Sequence, residues 1–273
     1  MNTNRNYKDS VFTKLFGEKE NLLELYNAIE NTDYGKDTEI QIATLENVLY
    51  MEQINDISFV IGDKIIVLIE HQSTINKNMP LRMFIYLAKI YEKMTDGKKG
   101  IYGTSRIEIP APEFIVLYNG KDEYPDKETI FLSGSYKEKG KKKFLELEVQ
   151  VYNINKGRNP EIAAKSKTLS GYETFIAEIR ENEKTMSREE AINKAVKDCI
   201  RRNILKSFLE KHSTEVVSML TREWNWDDAL RVREEQGMRK NAEITARNMK
   251  AEGLDLHLIA RITGLTFDEV LNV

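Results

Sequence analysis

A single cysteine, Cys199, in a chain of 273 residues excludes an internal disulfide and any cysteine-built metal knuckle, and it fits a reducing compartment. It reads as a small apolar residue on a helix face. No apolar run reaches the length of a bilayer span, and the opening MNTNRNYKDS lacks the apolar stretch of a secretory signal. A cytoplasmic protein with no membrane partner is expected. Low-complexity tracts and repeats are also missing. The net charge of −3 leaves no positive excess for a chain built to coat nucleic acid, because such binding neutralises phosphates. An enzyme that touches DNA locally remains compatible with it.

What is present suits a globular core, with 41% hydrophobic and 31% charged residues. Val11, Phe12, Leu15 and Phe16, then Leu22, Leu23, Leu25, Tyr26 and Ile29, recur at helical spacing on either side of Gly17. Leu45, Val48, Leu49 and Tyr50 suggest a strand, and NDISFVIGDKIIVLIEHQ a buried hairpin. LRMFIYLAKIYEKM after Pro80 is a helix stopped by Asp96-Gly97. Strands are expected in PEFIVLYNG and FLELEVQVYNI, and one helix from Pro160 to Arg180. From about Glu181 the strand signals end and the composition becomes helical and charged. Capping boxes open helices at Ser187-Arg188-Glu189-Glu190 and Thr266-Phe267-Asp268-Glu269. The expected organisation is α/β over 1–180 and helical over 181–273.

The hairpin carries a carboxylate on each strand. With Gly62-Asp63-Lys64 as a three-residue loop, Ile61 faces Ile65, Phe59 faces Val67, Ile57 faces Ile69 and Asp56 falls opposite Glu70. Opposed like charges are destabilising and call for compensation. In that register Asp56, Glu70 and Gln72 converge on one face while His71 points away. Mg²⁺ is commonly held by one or two carboxylates, with waters and substrate phosphate oxygens filling its other positions, and it can drive phosphodiester hydrolysis. The alternative is that Asp56 and Glu70 are solvated strand ends.

Asp56, the run Glu70-His71-Gln72-Ser73-Thr74 closing an apolar strand, and Met79-Pro80-Leu81-Arg82 opening a helix resemble the PD-(D/E)XK nuclease superfamily. More narrowly the chain is similar to the recombination-promoting nuclease (Rpn) family, also labelled transposases. The likeness extends to VFTKLFG, VLYNGKDEYP, LELEVQVYNIN, LSGYETFIAEIR, KAVKDCIRRNIL and IARITGLTFDEV. The resemblance implies a mixed sheet flanked by helices, a restriction-endonuclease-like core, and a C-terminal helical appendage. It also implies Mg²⁺-dependent DNA endonuclease activity, with Mn²⁺ as substitute, and DNA as partner. Asp56 and Glu70 become metal ligands, the backbone carbonyl of His71 a third, and Gln72 stands at the place of the superfamily's lysine. Asn55 replaces the proline of the motif. A neutral amide at Gln72 orients water but neither acts as a base nor supplies charge. A dormant nuclease fold that binds DNA or a partner protein is the rival reading.

Glu24 is either a helix-borne acid assisting the metal or an exposed helical glutamate. Arg82 and Tyr86, four apart, either touch phosphate or form a helix-surface pair. Lys137 to Lys143, KEKGKKK, is a solvated loop or a phosphate contact. Asp63 is a turn residue, and His212 and His257 have no evident partners. LHLIARITGLTFDEVLNV resembles half of a helix-turn-helix, but its last helix is short; packing or homo-oligomerisation is the expectation.

Overall fold

In a computed structural model, which describes residues 10–42, 56–70, 76–95, 99–138 and 144–273, the apolar hairpin forms as β2 (Asp56–Ile61) and β3 (Lys64–Glu70). A short β1 (Ile40–Ile42) pairs antiparallel with β2. On the other side β3 runs parallel to β4 (Ala111–Tyr118), and β4 parallel to β6 (Glu148–Asn153). β5 (Lys127–Phe131) closes the sheet antiparallel to β6. The result is a mixed six-stranded sheet in the order β1-β2-β3-β4-β6-β5.

Helices cover both faces, as parallel strands require. α3 (Met79–Thr95) lays Met83, Tyr86 and Ile90 on Val116 of β4 and Val149 and Val151 of β6. On the opposite face lie α1 (Val11–Phe16), α2 (Lys19–Glu30) and α5 (Lys167–Asn182). There Tyr26 meets Phe59 edge-on at 5.8 Å, and Phe12 meets Tyr172 at 5.6 Å.

Several expectations change. The strand expected over 45–50 lies outside the described residues, whereas β1 precedes it. β5 carries little apolar signal because it is an edge strand whose residues are exposed or half-buried. β6 begins at Glu148, leaving Phe144 87% exposed ahead of it. The single helix expected over 160–180 is broken at Ser166 into α4 (Pro160–Lys165) and α5, because the Ser166 hydroxyl accepts from Leu169 N and so caps a new helix.

The chain forms two compact units, 1–220 and 221–273. α6 (Arg188–Arg201), opened by the expected Ser187 capping box, belongs to the first, and its buried Ala191, Ile192, Ala195 and Val196 pack with α5. The end of strand signals near 181 therefore does not coincide with the limit of the first unit. Cys199 is fully buried, and burial together with Glu178 at 3.6 Å pushes its thiol up to about 12. It is the inert packing residue expected.

A long helix, α7 (Lys206–Ala251), spans 46 residues. In the second unit α8 (Leu256–Thr263) and α9 (Phe267–Asn272) pack Ile259, Leu265 and Val270 around Ala246 of α7. Gly264, at φ 73°, ends α8 in the left-handed conformation, and the Thr266 capping box starts α9. The terminal pair thus packs within its own unit, and α9, at 6 residues, is too short to reach along a groove.

Candidate active site

β3, β4 and β6 end together: Glu70 pairs with Leu117, Leu117 with Tyr152, and Tyr118 with Asn153. β2 begins at this same end with Asp56, and β5 with Lys127. The carboxyl ends of parallel strands are where open α/β sheets place their ligands.

The hairpin register differs from the expected one. Ile61 pairs with Lys64 across a two-residue Gly62-Asp63 turn, and Asp56 pairs with Ile69 instead of Glu70. Gly62 has φ +56°, the conformation a type II′ turn assigns to glycine at its first central position. The shorter turn moves every pairing by one residue, so positions 56 and 70 fall in different rows of the pleat. At Asp56 and Glu70 the description is of the backbone alone, and His71 and Gln72 lie outside the described residues. The structure brings the strand ends bearing the two acids together without opposing them.

Around the same sheet end the chain builds a network of amides about one arginine. Asn153 is 2% exposed, and its Nδ2 donates to Tyr124 O at 2.9 Å. Its Oδ1 accepts from Asn155 N at 3.1 Å and Asn155 Nδ2 at 2.9 Å. Asn155 Nδ2 also donates to Gly120 O at 3.0 Å. Asn159 straps the loop by donating to Asn153 O at 2.9 Å and Asp126 O at 2.6 Å. From the last turn of α5, Arg180 Nη1 donates to Asn155 Oδ1 at 2.6 Å and Nη2 to Asn119 O. Its Nε is buried with no hydrogen-bond partner. Burial pulls the Arg180 pKa below the usual value for a guanidinium.

Asn153, Asn155 and Arg180 line a groove of about 600 Å³ in which the cations Lys121, Arg158 and Lys184 face the acids Asp122, Glu123 and Glu183. Glycine is required at 120 because a Cβ there would overlap the Tyr118 ring, which is buried and whose hydroxyl donates to Asp122 O at 3.0 Å. Sequence reasoning missed this network. Its trace is the alternation of Asn153 and Asn155 at a strand end, in the run VYNINKGRNP, where buried amides must be bonded to be tolerated.

Glu24 is half-buried rather than exposed on its helix. Its Oε1 accepts from Ser166 Oγ at 2.8 Å and Thr168 N at 2.9 Å, placing a carboxylate at the positive end of α5. Tyr86 is fully buried, so Arg82 and Tyr86 are not a surface pair; Arg82 Nη2 lies 3.5 Å from the Tyr86 hydroxyl and Nη1 3.4 Å from Met79 Sδ. Asp63 is a turn residue, as expected, and its carbonyl accepts from Ala111 N at 2.8 Å. Lys137 is exposed, and residues 139–143 of the basic run lie outside the described residues. Both histidines acquire partners: His212 lies tilted against Phe208 at 5.2 Å and faces Glu215 at 3.6 Å, and His257 stacks on Phe267 at 4.5 Å. Glu173, not singled out by sequence, is 5% exposed on α5, and burial pushes its carboxyl up to about 8.

Among the described residues no three His, Cys, Asp or Glu side chains cluster to hold a metal, and no helix is long and apolar enough to cross a membrane. The architecture defines a mixed α/β protein whose polar site is set at the carboxyl end of its parallel strands. Residues 47–206, which contain that sheet end and all of α5, match the family described as "Putative transposase, YhgA-like", and the chain belongs to this family. No curated protein and no solved structure matches the chain.

Proposed function

We propose that this chain is a cytosolic, Mg²⁺-dependent DNA endonuclease of the PD-(D/E)XK type that hydrolyses phosphodiester bonds in recombination or mobile-element movement. The observation that carries the reading is the placement of Asp56 and Glu70 on neighbouring strands at the carboxyl end of the sheet, in a chain of a transposase family. Two carboxylates and the His71 carbonyl are hard oxygen donors, a set suited to Mg²⁺ or Mn²⁺. Mg²⁺ held there supplies positive charge to the phosphoryl oxygens and lowers the pKa of the attacking water.

The chain's own residues do the rest. Asp56 at the start of β2 and Glu70 at the end of β3 would hold the ion, and Gln72 would orient the water by its amide. Water adds to phosphorus, the bond from phosphorus to one sugar oxygen breaks, and that oxygen leaves with a proton. The pairing of Asp56 with Ile69 favours a second reading, a dormant nuclease fold that retains DNA binding, because that register does not converge the two acids. Plasmid nicking in Mg²⁺, Mn²⁺ or EDTA separates the two. Nicking that requires metal and is abolished in Asp56→Ala and Glu70→Ala supports the endonuclease. Equal nicking by wild type and both variants removes these residues from the mechanism, and no nicking by purified wild type leaves the dormant fold.

A further inference from the structure

Arg180 carries a charge that the fold orients by hydrogen bonds to carbonyl oxygens, with the carboxylate of Glu183 acting on it through space. Among the described residues its hydrogen bonds run to the carbonyl oxygens of Asn155 and Asn119 and not to a carboxylate. Glu183, one turn further along, is shared among cations: Arg188 Nε holds it at 2.8 Å, Lys121 Nζ stands 3.9 Å away, and Arg180 feels it only through space. A neutral donor would satisfy the same two carbonyls without the desolvation cost of a guanidinium. The negative end of the α5 dipole offsets only part of that charge. Nε is buried and unpaired as well. A purely structural strap leaves the charge and this third donor unexplained.

We propose that the Arg180 groove is a phosphate-binding subsite that grips the DNA backbone beside the strand ends bearing Asp56 and Glu70; the identity of the ligand rests on the endonuclease reading. A guanidinium suits a phosphodiester because it is planar, permanently charged and rich in donors. The amides of Asn153 and Asn155 are committed to backbone and to each other, so they hold the Arg180 fork rigid instead of binding ligand themselves. Arg158, at the groove and exposed, adds positive charge at the rim; among the described residues it pairs with the exposed Asp126 at 3.0 Å. A backbone contact of this kind positions DNA without reading its sequence.

The test is binding of a fluorescent duplex DNA to the full chain in EDTA, titrated over a range of salt. Arg180→Gln should weaken binding about tenfold, the scale of one charged hydrogen bond. It should also lower the salt slope by about one released counterion, uniformly across duplex sequences. Inorganic phosphate should compete with DNA on the wild type and much less on the variant. Should Arg180→Gln fail to fold, Arg158→Glu carries the test, with Lys36→Glu, an exposed lysine on a different segment, as the control for general charge. A loss severalfold larger for Arg158→Glu than for Lys36→Glu is expected. Wild type that does not bind DNA, Arg180→Gln with unchanged affinity and slope, or equal losses at 158 and 36 would overturn the subsite. Because the assay excludes metal, Arg180-dependent binding by a protein that never nicks DNA refutes the nuclease and spares the subsite. Metal-dependent nicking with Arg180-independent binding does the reverse.

Discussion

Asp56 pairs with Ile69, one residue short of Glu70, and this single step of register decides whether the two acids of the hairpin share a row. Directly opposed positions on antiparallel strands are close enough for a disulfide, whereas positions offset by one residue lie on opposite faces. A Ser58→Cys, Val67→Cys double variant should therefore oxidise to an internal disulfide, and Phe59→Cys, Val67→Cys should not. Non-reducing mass analysis of hairpin peptides checks this. The opposite pattern would restore the three-residue loop and with it the opposed Asp56 and Glu70.

In the proposed nuclease site Gln72 would take the place of the superfamily's lysine. If its amide orients water, Gln72→Ala should slow cleavage while leaving the Mg²⁺ dependence of the rate nearly unchanged, since the carboxylates supply the charge that holds the ion. Gln72→Lys should retain cleavage with a shifted metal requirement, because the added charge favours the developing negative charge on phosphate but repels the cation. Rate and metal titrations that match wild type for both variants would take Gln72 out of the active site.

Glu24 holds the start of α5. Glu24→Ala removes acceptors from Ser166 Oγ and Thr168 N and should cost about 1–2 kcal/mol, the range for losing a helix N-terminal acceptor. Glu24→Gln should recover much of it, and both variants, if folded, should keep the wild-type metal requirement. Thermal melts and metal titrations read the two effects separately; a shifted metal requirement at unchanged melting temperature would return Glu24 to the catalytic centre.

Glu173 should make the fold less stable as pH rises. Its carboxyl titrates near 8 in the folded chain and near 4.5 when exposed, so between those values the folded state holds a proton that the unfolded state has lost. The stability contributed by the buried neutral acid is complete below pH 4.5 and is lost as pH rises through about 8. Glu173→Gln, neutral at every pH, should flatten this slope and melt higher than wild type above pH 8. Parallel melting curves across the window would show that Glu173 is ionised in the folded chain.

Periodicity alone located the apolar face of α2, the hairpin, and the cores of β4 and β6, because burial imposes a period on one segment without reference to any other. It located α3 as a helix, but the side it buries, Met83, Tyr86 and Ile90, was set by the sheet beneath. The capping boxes at Ser187 and Thr266 were legible for the same reason: a side chain and a backbone N–H three residues apart need no distant partner. β5 was not legible, since an edge strand buries little and is defined by the neighbour it pairs with. Nor was the break at Ser166, although a serine cap is a local signal, because Glu24 of a distant helix completes it. The sequence named Asp56 and Glu70 as acids at strand ends. The register that sets their relation, the burial that raises Glu173, and the gathering of Asn119, Asn155 and Arg180 at one sheet end were decided by tertiary structure alone. Each depends on contacts between segments far apart in the chain, and a pattern read along one segment cannot contain them.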